Sequence, residues 1–156
     1  MKWVWSLMPV MPLAILVALP QAAEAKKLPK NAKPMTAEEV IAIYSGNSAV
    51  WDGSKAYFSP EKRVKGVFGK GTKRVTYAGE WSVTDNEACM KNSAKGDPKI
   101  YTDCWKWWHV GTKTITLWSV HYDETKPDDR NGYYDEMRSI KKGDKVSKEY
   151  EELGGL

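Results

Sequence analysis

Hydrophobic positions along this chain change their spacing twice. From Trp3 to Leu19 they form an almost continuous apolar run, broken by Ser6, Pro9 and Pro12. Between Thr36 and Gly46 they recur at helical spacing. From Asn47 onward, short runs rich in Val, Tyr, Trp and Thr alternate with clusters of turn residues. The helical segment has a marked start: Thr36 and Glu39 make a T-x-x-E capping box, and Met35 with Val40 has the spacing of a hydrophobic staple. Val40, Ile43 and Tyr44 form its apolar stripe, and Gly46 suits the stop. A helix of about ten residues is too short to persist alone in water, so it must pack on another element.

That element is an antiparallel sheet. Turn signals fall at Asp52-Gly53, Ser59-Pro60, Gly69-Lys70-Gly71, Asp85-Asn86, Gly96-Asp97-Pro98 and Asn131-Gly132. The clearest strand runs from Lys73 to Thr84, with Val75, Tyr77, Gly79, Trp81 and Val83 on one face and polar residues on most of the other. Gly79 in its middle predicts a bulge or a bend where the sheet coils. About eight such strands in sequence predict a mainly β fold. One short N-terminal helix packs on an up-and-down barrel or strongly coiled antiparallel sheet, lipocalin-like in shape.

The densest segment is Tyr101 to Val110, followed by a turn at Gly111-Thr112 and a second strand, Lys113 to Tyr122. An even loop sets Trp105 opposite Trp118, Trp107 opposite Thr116 and His109 opposite Thr114. One face then carries Tyr101, Trp105, Trp107, His109, Trp118 and Tyr122. An odd loop moves the register by one and groups Ile115 and Leu117 with Trp105 and Trp107 instead. The sequence leaves both registers open.

The N-terminal run changes the setting of all this. Lys2, the apolar stretch and Ala23-Glu24-Ala25 make residues 1–25 a secretory signal peptide with a small-x-small cleavage site. The two prolines and that cleavage pattern argue against a membrane anchor, and no transmembrane segment is expected after cleavage. Lys26 to Pro34, with four lysines and two prolines, reads as a flexible basic arm. Residues 35–140 form a single β-rich domain, and 141–156 a charged tail, frayed or lightly docked. In an oxidising compartment the only two cysteines, Cys89 and Cys104, pair as a disulfide. Closing a loop of about 15 residues stabilises the fold by roughly 3 kcal/mol.

Composition narrows the chemistry further. The 156 residues carry a net charge of +4, but the lysines are spread along the chain and make no basic stripe. Export also conflicts with nucleic-acid binding, so nucleic acid is not an expected partner. Gly69-Lys70-Gly71 lacks the third glycine and the following helix of a phosphate loop. Aligning Gly132 with the sixth place of a calcium loop puts Pro127 and Arg138 where carboxylates are required. No metal-ligand set, cofactor motif or hydrolase signature is present. His109 and His121 are the only histidines, and each needs a carboxylate neighbour to support hydrolysis. The even register allows both on one face.

Taken in order, TAEEVIAIYSG, VWDGSKAYFSPEKRV, the G-x-W of YAGEWSV, Cys89 and Cys104 resemble a bacterial secreted family, domain of unknown function 995. The resemblance covers about Met35 to Ile140; the loop around Asp123–Asn131 and the charged tail depart from it. It implies a periplasmic or secreted protein of a Gram-negative bacterium and supplies no catalytic residues. Gly79-Glu80-Trp81 is also similar to the G-x-W of lipocalin-type barrels, which normally sits on the first strand, so it supports a barrel and not kinship.

The leading expectation is a non-enzymatic exported module that binds a small molecule, a polysaccharide or another envelope component. Trp105, Trp107, His109, Trp118 and Tyr122 are the candidate contacts, because one face of the hairpin is over-supplied with rings. The alternatives are an envelope hydrolase using His109 or His121 with a carboxylate, and an inhibitor-like or structural interaction protein marked by a broad apolar patch.

Overall fold

The computed structural model describes residues 28–121, 123–125 and 135–156. The signal peptide expected at 1–25, Tyr122 and residues 126–134 lie outside the described residues. Eight antiparallel strands follow one another in sequence and in space: β2 (Asn47–Trp51), β3 (Ser54–Phe58), β4 (Arg63–Phe68), β5 (Val75–Thr84), β6 (Glu87–Ala94), β7 (Tyr101–Val110), β8 (Lys113–His121) and β9 (Glu124–Thr125). The run curls strongly into a half-barrel. Its first edge is extended by β10 (Ile140–Lys142), which returns to pair with β2.

The inward face predicted for the clearest strand is the observed one, although the strand begins at Val75, and of the two hairpin registers left open the structure has the even one. Val75, Tyr77, Trp81 and Val83 of β5 line the concave side, and Trp105 faces Trp118, Trp107 faces Thr116 and His109 faces Thr114. The loop at Gly111-Thr112 is thus even. Gly79 makes no bulge, because its pairing with Val64 and Asn92 is continuous on both sides. It serves close approach instead: a Cβ there would lie 1.9 Å from the Lys91 carbonyl oxygen. The sheet can coil this tightly only without a side chain at position 79.

Helix α1 (Ala37–Tyr44) packs against the concave face. Both hydrogen bonds of the capping box are formed, Glu39 N–H to Thr36 Oγ1 and Thr36 N–H to Glu39 Oε2. Gly46, at φ +75°, turns the chain into β2. Val40 and Tyr44 are fully buried, and the Tyr44 ring sits among Phe58, Trp81, Trp105 and Trp107. The Trp105 indole N–H donates to the Tyr44 hydroxyl at 2.5 Å. These rings fill one half of the trough.

Two segments are more ordered than the sequence reading expects. Ala32–Pro34 of the basic arm forms strand β1, paired with Trp108–Val110 of β7. The reason is geometric: β6 begins at Glu87, opposite Lys106, so β7 runs on past it and β1 covers the edge left bare. The charged tail contributes β10 and then α2 (Ser147–Glu152), so the domain extends beyond Ile140. Val146 and Tyr150 bury themselves on Val67 beside Tyr57 and Ala78, on the convex face. Glu149 pairs with Lys55 and Arg74, and the Thr76 hydroxyl donates to the Gly155 carbonyl.

The disulfide links Cys89 and Cys104, directly opposed on β6 and β7. It ties those two strands together, not the β7–β8 hairpin. No described helix is long and apolar enough to cross a membrane.

Candidate functional site

Among the described residues, no element packs into the second half of the trough. Here the concave side is made by the end of β4, the start of β5, the end of β6 and the start of β7, all at one end of the sheet. Side chains alternate across each strand, so Phe68, Tyr77, Asn92, Ala94, Tyr101 and Asp103 share that face. They line a cavity of about 480 Å³, with Met90 as its deeper wall and Asp52, Gly53 and Asp97 at the turns around its mouth. Tyr77 fits because position 66 is glycine; a Cβ there would lie 2.1 Å from Tyr77 Cζ. The Tyr77 hydroxyl donates to the Lys55 carbonyl at 3.2 Å.

The polar groups are held by short local bonds. The Tyr101 hydroxyl donates to Asp97 Oδ2 at 3.1 Å, and Asp97 Oδ1 accepts the Lys99 backbone N–H at 2.9 Å. Donation to Asp97 stabilises the protonated phenol and raises the Tyr101 pKa above the ordinary tyrosine value; partial desolvation and the Asp97 charge act in the same sense. Lys99 Nζ lies 4.5 Å from the Tyr101 ring centroid and 3.6 Å from Asp123 Oδ2. At the mouth, Lys70 pairs with Asp52 at 2.9 Å.

Asp103 is 4% exposed, and its Oδ1 lies 2.8 Å from His121 Nδ1. A register shift builds this pair. Between Trp105 and Cys104 the ladder slips by one, so Val120 stands opposite Cys104. Without the slip, the alternation of β8 would carry His121 opposite Thr102; with it, His121 reaches Asp103. The His121 ring also rests 4.6 Å from Trp118, which is 5.1 Å from Trp105.

The structure distributes the sequence-predicted contacts unequally. Trp105 and Trp107 are 1% and 0% exposed, so they are core residues of the filled half and present no ring to solvent. Trp118 is half-buried between that core and His121. His109 stands near the opposite end of β7, with its Nε2 3.1 Å from Glu39 Oε1 of α1. Six residues of strand separate it from Asp103, about 20 Å, so the two histidines form no joint site. Tyr122 lies outside the described residues. Each histidine has its own carboxylate, as hydrolysis would require.

Sequence reasoning missed Tyr77, Asn92 and Asp103 as a group. Asp103 carried a readable signal, being a charged residue at an inward position between Tyr101 and Trp105. Tyr77 and Asn92 carried none, because only the curl of the sheet brings β5 and β6 to the same cavity as β7. Among the described residues, no cluster of His, Cys, Asp and Glu could hold a metal ion.

Compared with protein-family models, residues 12–116 match a family described as protein of unknown function, DUF995. No curated protein and no solved structure matches the chain. The matched span runs through α1 and β2–β7 into β8, and so includes the strands of both halves of the trough. On that match over more than half of its length, the chain belongs to the DUF995 family.

Proposed function

We propose that this protein is an exported binding module, acting in the periplasm or outside the cell, that takes a small ligand into the open half of its half-barrel. The observation that carries this reading is the cavity of about 480 Å³ where rings, an amide and carboxylates converge. Its size and its mixture of apolar wall and few polar groups are those of ligand sites. Trp118 and His121 flank the site, while Trp105 and Trp107 support it from the core. The disulfide and the apolar N-terminal run agree with an oxidising compartment. Native mass spectrometry of the protein recovered from its own periplasm tests the reading. A co-purifying small molecule that is lost from Tyr101→Ala supports it; an empty protein that binds nothing from a periplasmic extract overturns it.

One observation favours a second reading, hydrolysis of an envelope component: the buried Asp103 carboxylate holding His121 at 2.8 Å. A buried carboxylate that orients an imidazole is the arrangement a general base needs. Turnover of an ester or glycoside that disappears in both Asp103→Asn and His121→Ala would establish it. Turnover indifferent to both substitutions would remove it.

A further inference from the structure

At the junction of β6, β7 and β8 the convex face of the sheet controls the concave one. Cys89 and Cys104 are directly opposed, and their bridge lies on the convex side, because their neighbours Met90 and Asp103 point into the trough. Cys104 also borders the slip in the β7–β8 ladder: Trp105 stands opposite Trp118, but Cys104 stands opposite Val120. Ser119 is therefore the extra residue of a bulge. Its hydroxyl donates to Glu87 Oε1, across the intervening strand β7. Both sides of the slip are thus fastened to β6 at positions two residues apart, Cys104 by the bridge to Cys89 and Ser119 by the bond to Glu87.

The slip decides on which face the following side chains of β8 lie, since a change of one residue in register exchanges the two faces. With it, His121 shares the concave side with Asp103, and its Nδ1 lies 2.8 Å from Oδ1. In the unslipped register His121 would stand opposite Thr102, which alternates to the convex side. A bulge disrupts the ladder around its extra residue, so the slipped register needs fastening from outside the β7–β8 pair. The disulfide is the covalent part of that fastening.

We propose that the Cys89–Cys104 bridge is a redox-sensitive lock on the register of β8: the oxidised protein holds His121 against Asp103 at the wall of the open cavity, and the reduced protein releases it. The lock concerns how that wall is assembled, and holds whether the cavity binds a ligand or turns one over. The step is a thiol–disulfide exchange with a dithiol. Cys89 is half-buried and Cys104 only 5% exposed, so the reductant's thiolate attacks Cys89 Sγ and Cys104 leaves as a thiolate. The second thiol of the reductant then attacks the reductant sulfur of the mixed disulfide and displaces Cys89. Two electrons and two protons pass to the protein, both cysteines end as thiols, and the dithiol ends as its disulfide.

The test compares isotope-labelled, disulfide-bonded protein by NMR before and after reduction with dithiothreitol. Cross-strand NOEs read which residue faces His121, and the imidazole nitrogen shifts read its contact with Asp103. Reduction is expected to abolish the His121–Asp103 contacts and to shift the imidazole signals, while the Trp107–Thr116 and His109–Thr114 pairs beyond the slip persist. Reoxidation restores the pair. An unchanged His121–Asp103 pair in the reduced protein overturns the lock. Loss of the whole near-UV circular dichroism signal on reduction also overturns it, since the bridge is then a staple of the entire domain. Ser119→Ala, with the bridge intact, tests the second fastening: weaker His121–Asp103 contacts are expected, and an undiminished pair removes Glu87 and Ser119 from the lock. None of these outcomes depends on a ligand, so the lock and the binding reading fail separately.

Discussion

The two halves of one trough are built from the same strands and do opposite things. At the helix end, Tyr44, Phe58, Trp81, Trp105 and Trp107 interlock, and the helix itself occupies the space a ligand would need. At the other end the same strands present Tyr77, Asn92, Tyr101 and Asp103, and no described helix enters. Large rings alone therefore do not identify a binding face. What separates the halves is whether a partner element arrives to cover them, together with the share of polar side chains that could not be buried dry.

The filled half also carries a cost. Lys62 Nζ and the Trp107 indole N–H are buried there without a hydrogen-bond partner among the described residues. Lys62 lies 3.8 Å from the Trp81 ring centroid, and burial lowers its pKa below the ordinary lysine value. Cation–π contact offsets part of the desolvation of the ammonium. In the open half, Asp97 and Asp103 each hold a hydrogen-bonded partner.

The contrast is broken most directly by truncating one ring in each half. Trp105→Ala should cost about 4 kcal/mol in denaturant unfolding, through lost contacts, an unfilled cavity and a Tyr44 hydroxyl without its donor. A loss below about 1 kcal/mol would mean that the filled half is not the core.

Glu136, at the margin of the filled half, sharpens the comparison through pH. It is 2% exposed and accepts the Trp51 indole N–H at 2.8 Å. Burial raises its pKa from 4.5 to about 7; the Trp51 bond opposes the rise and the Asp135 charge adds to it. The folded protein thus holds this proton more tightly than the unfolded chain. Its contribution is full below pH 4.5, falls as pH rises towards 7, and amounts to about 3 kcal/mol at most. Glu136→Gln keeps an acceptor for Trp51 and should flatten that slope, measured by unfolding between pH 4.5 and pH 8. An unchanged slope would place the titration elsewhere.

Replacing Cys89 and Cys104 together by serine tests what the two halves share, since the bridge ties β6 to β7 across both. The closed loop predicts a loss of roughly 3 kcal/mol with the fold retained. The smallest effect belongs to the open half: Tyr101→Ala should change stability by less than about 1 kcal/mol while reducing ligand binding. A loss as large as that of Trp105→Ala would make Tyr101 a core residue and erase the contrast.

Local rules account for what could be read in advance. The capping box at Thr36 and Glu39 and the period-two face of β5 depend on residues a few positions apart, and both appear as expected, whereas the sequence leaves the register at Gly111-Thr112 open. The helix of the tail was not read in advance: Val146, Tyr150 and Leu153 have helical spacing, but the density of charge around them hides a docking stripe of only three residues. The site was less accessible. Tyr77, Asn92 and Asp103 come from three strands, and nothing in their local sequence says that they meet.

The sequence by itself determined the capped helix, the succession of central strands, the inward face of β5 and the pairing of the two cysteines, because backbone geometry and side-chain alternation act over short separations. The tertiary structure alone decided which half of the trough α1 fills, where the β7–β8 ladder slips to bring His121 to Asp103, and which rings remain beside an open cavity. Those outcomes follow from the curl of the whole sheet and from the volume of side chains far apart in the chain, which no local pattern encodes.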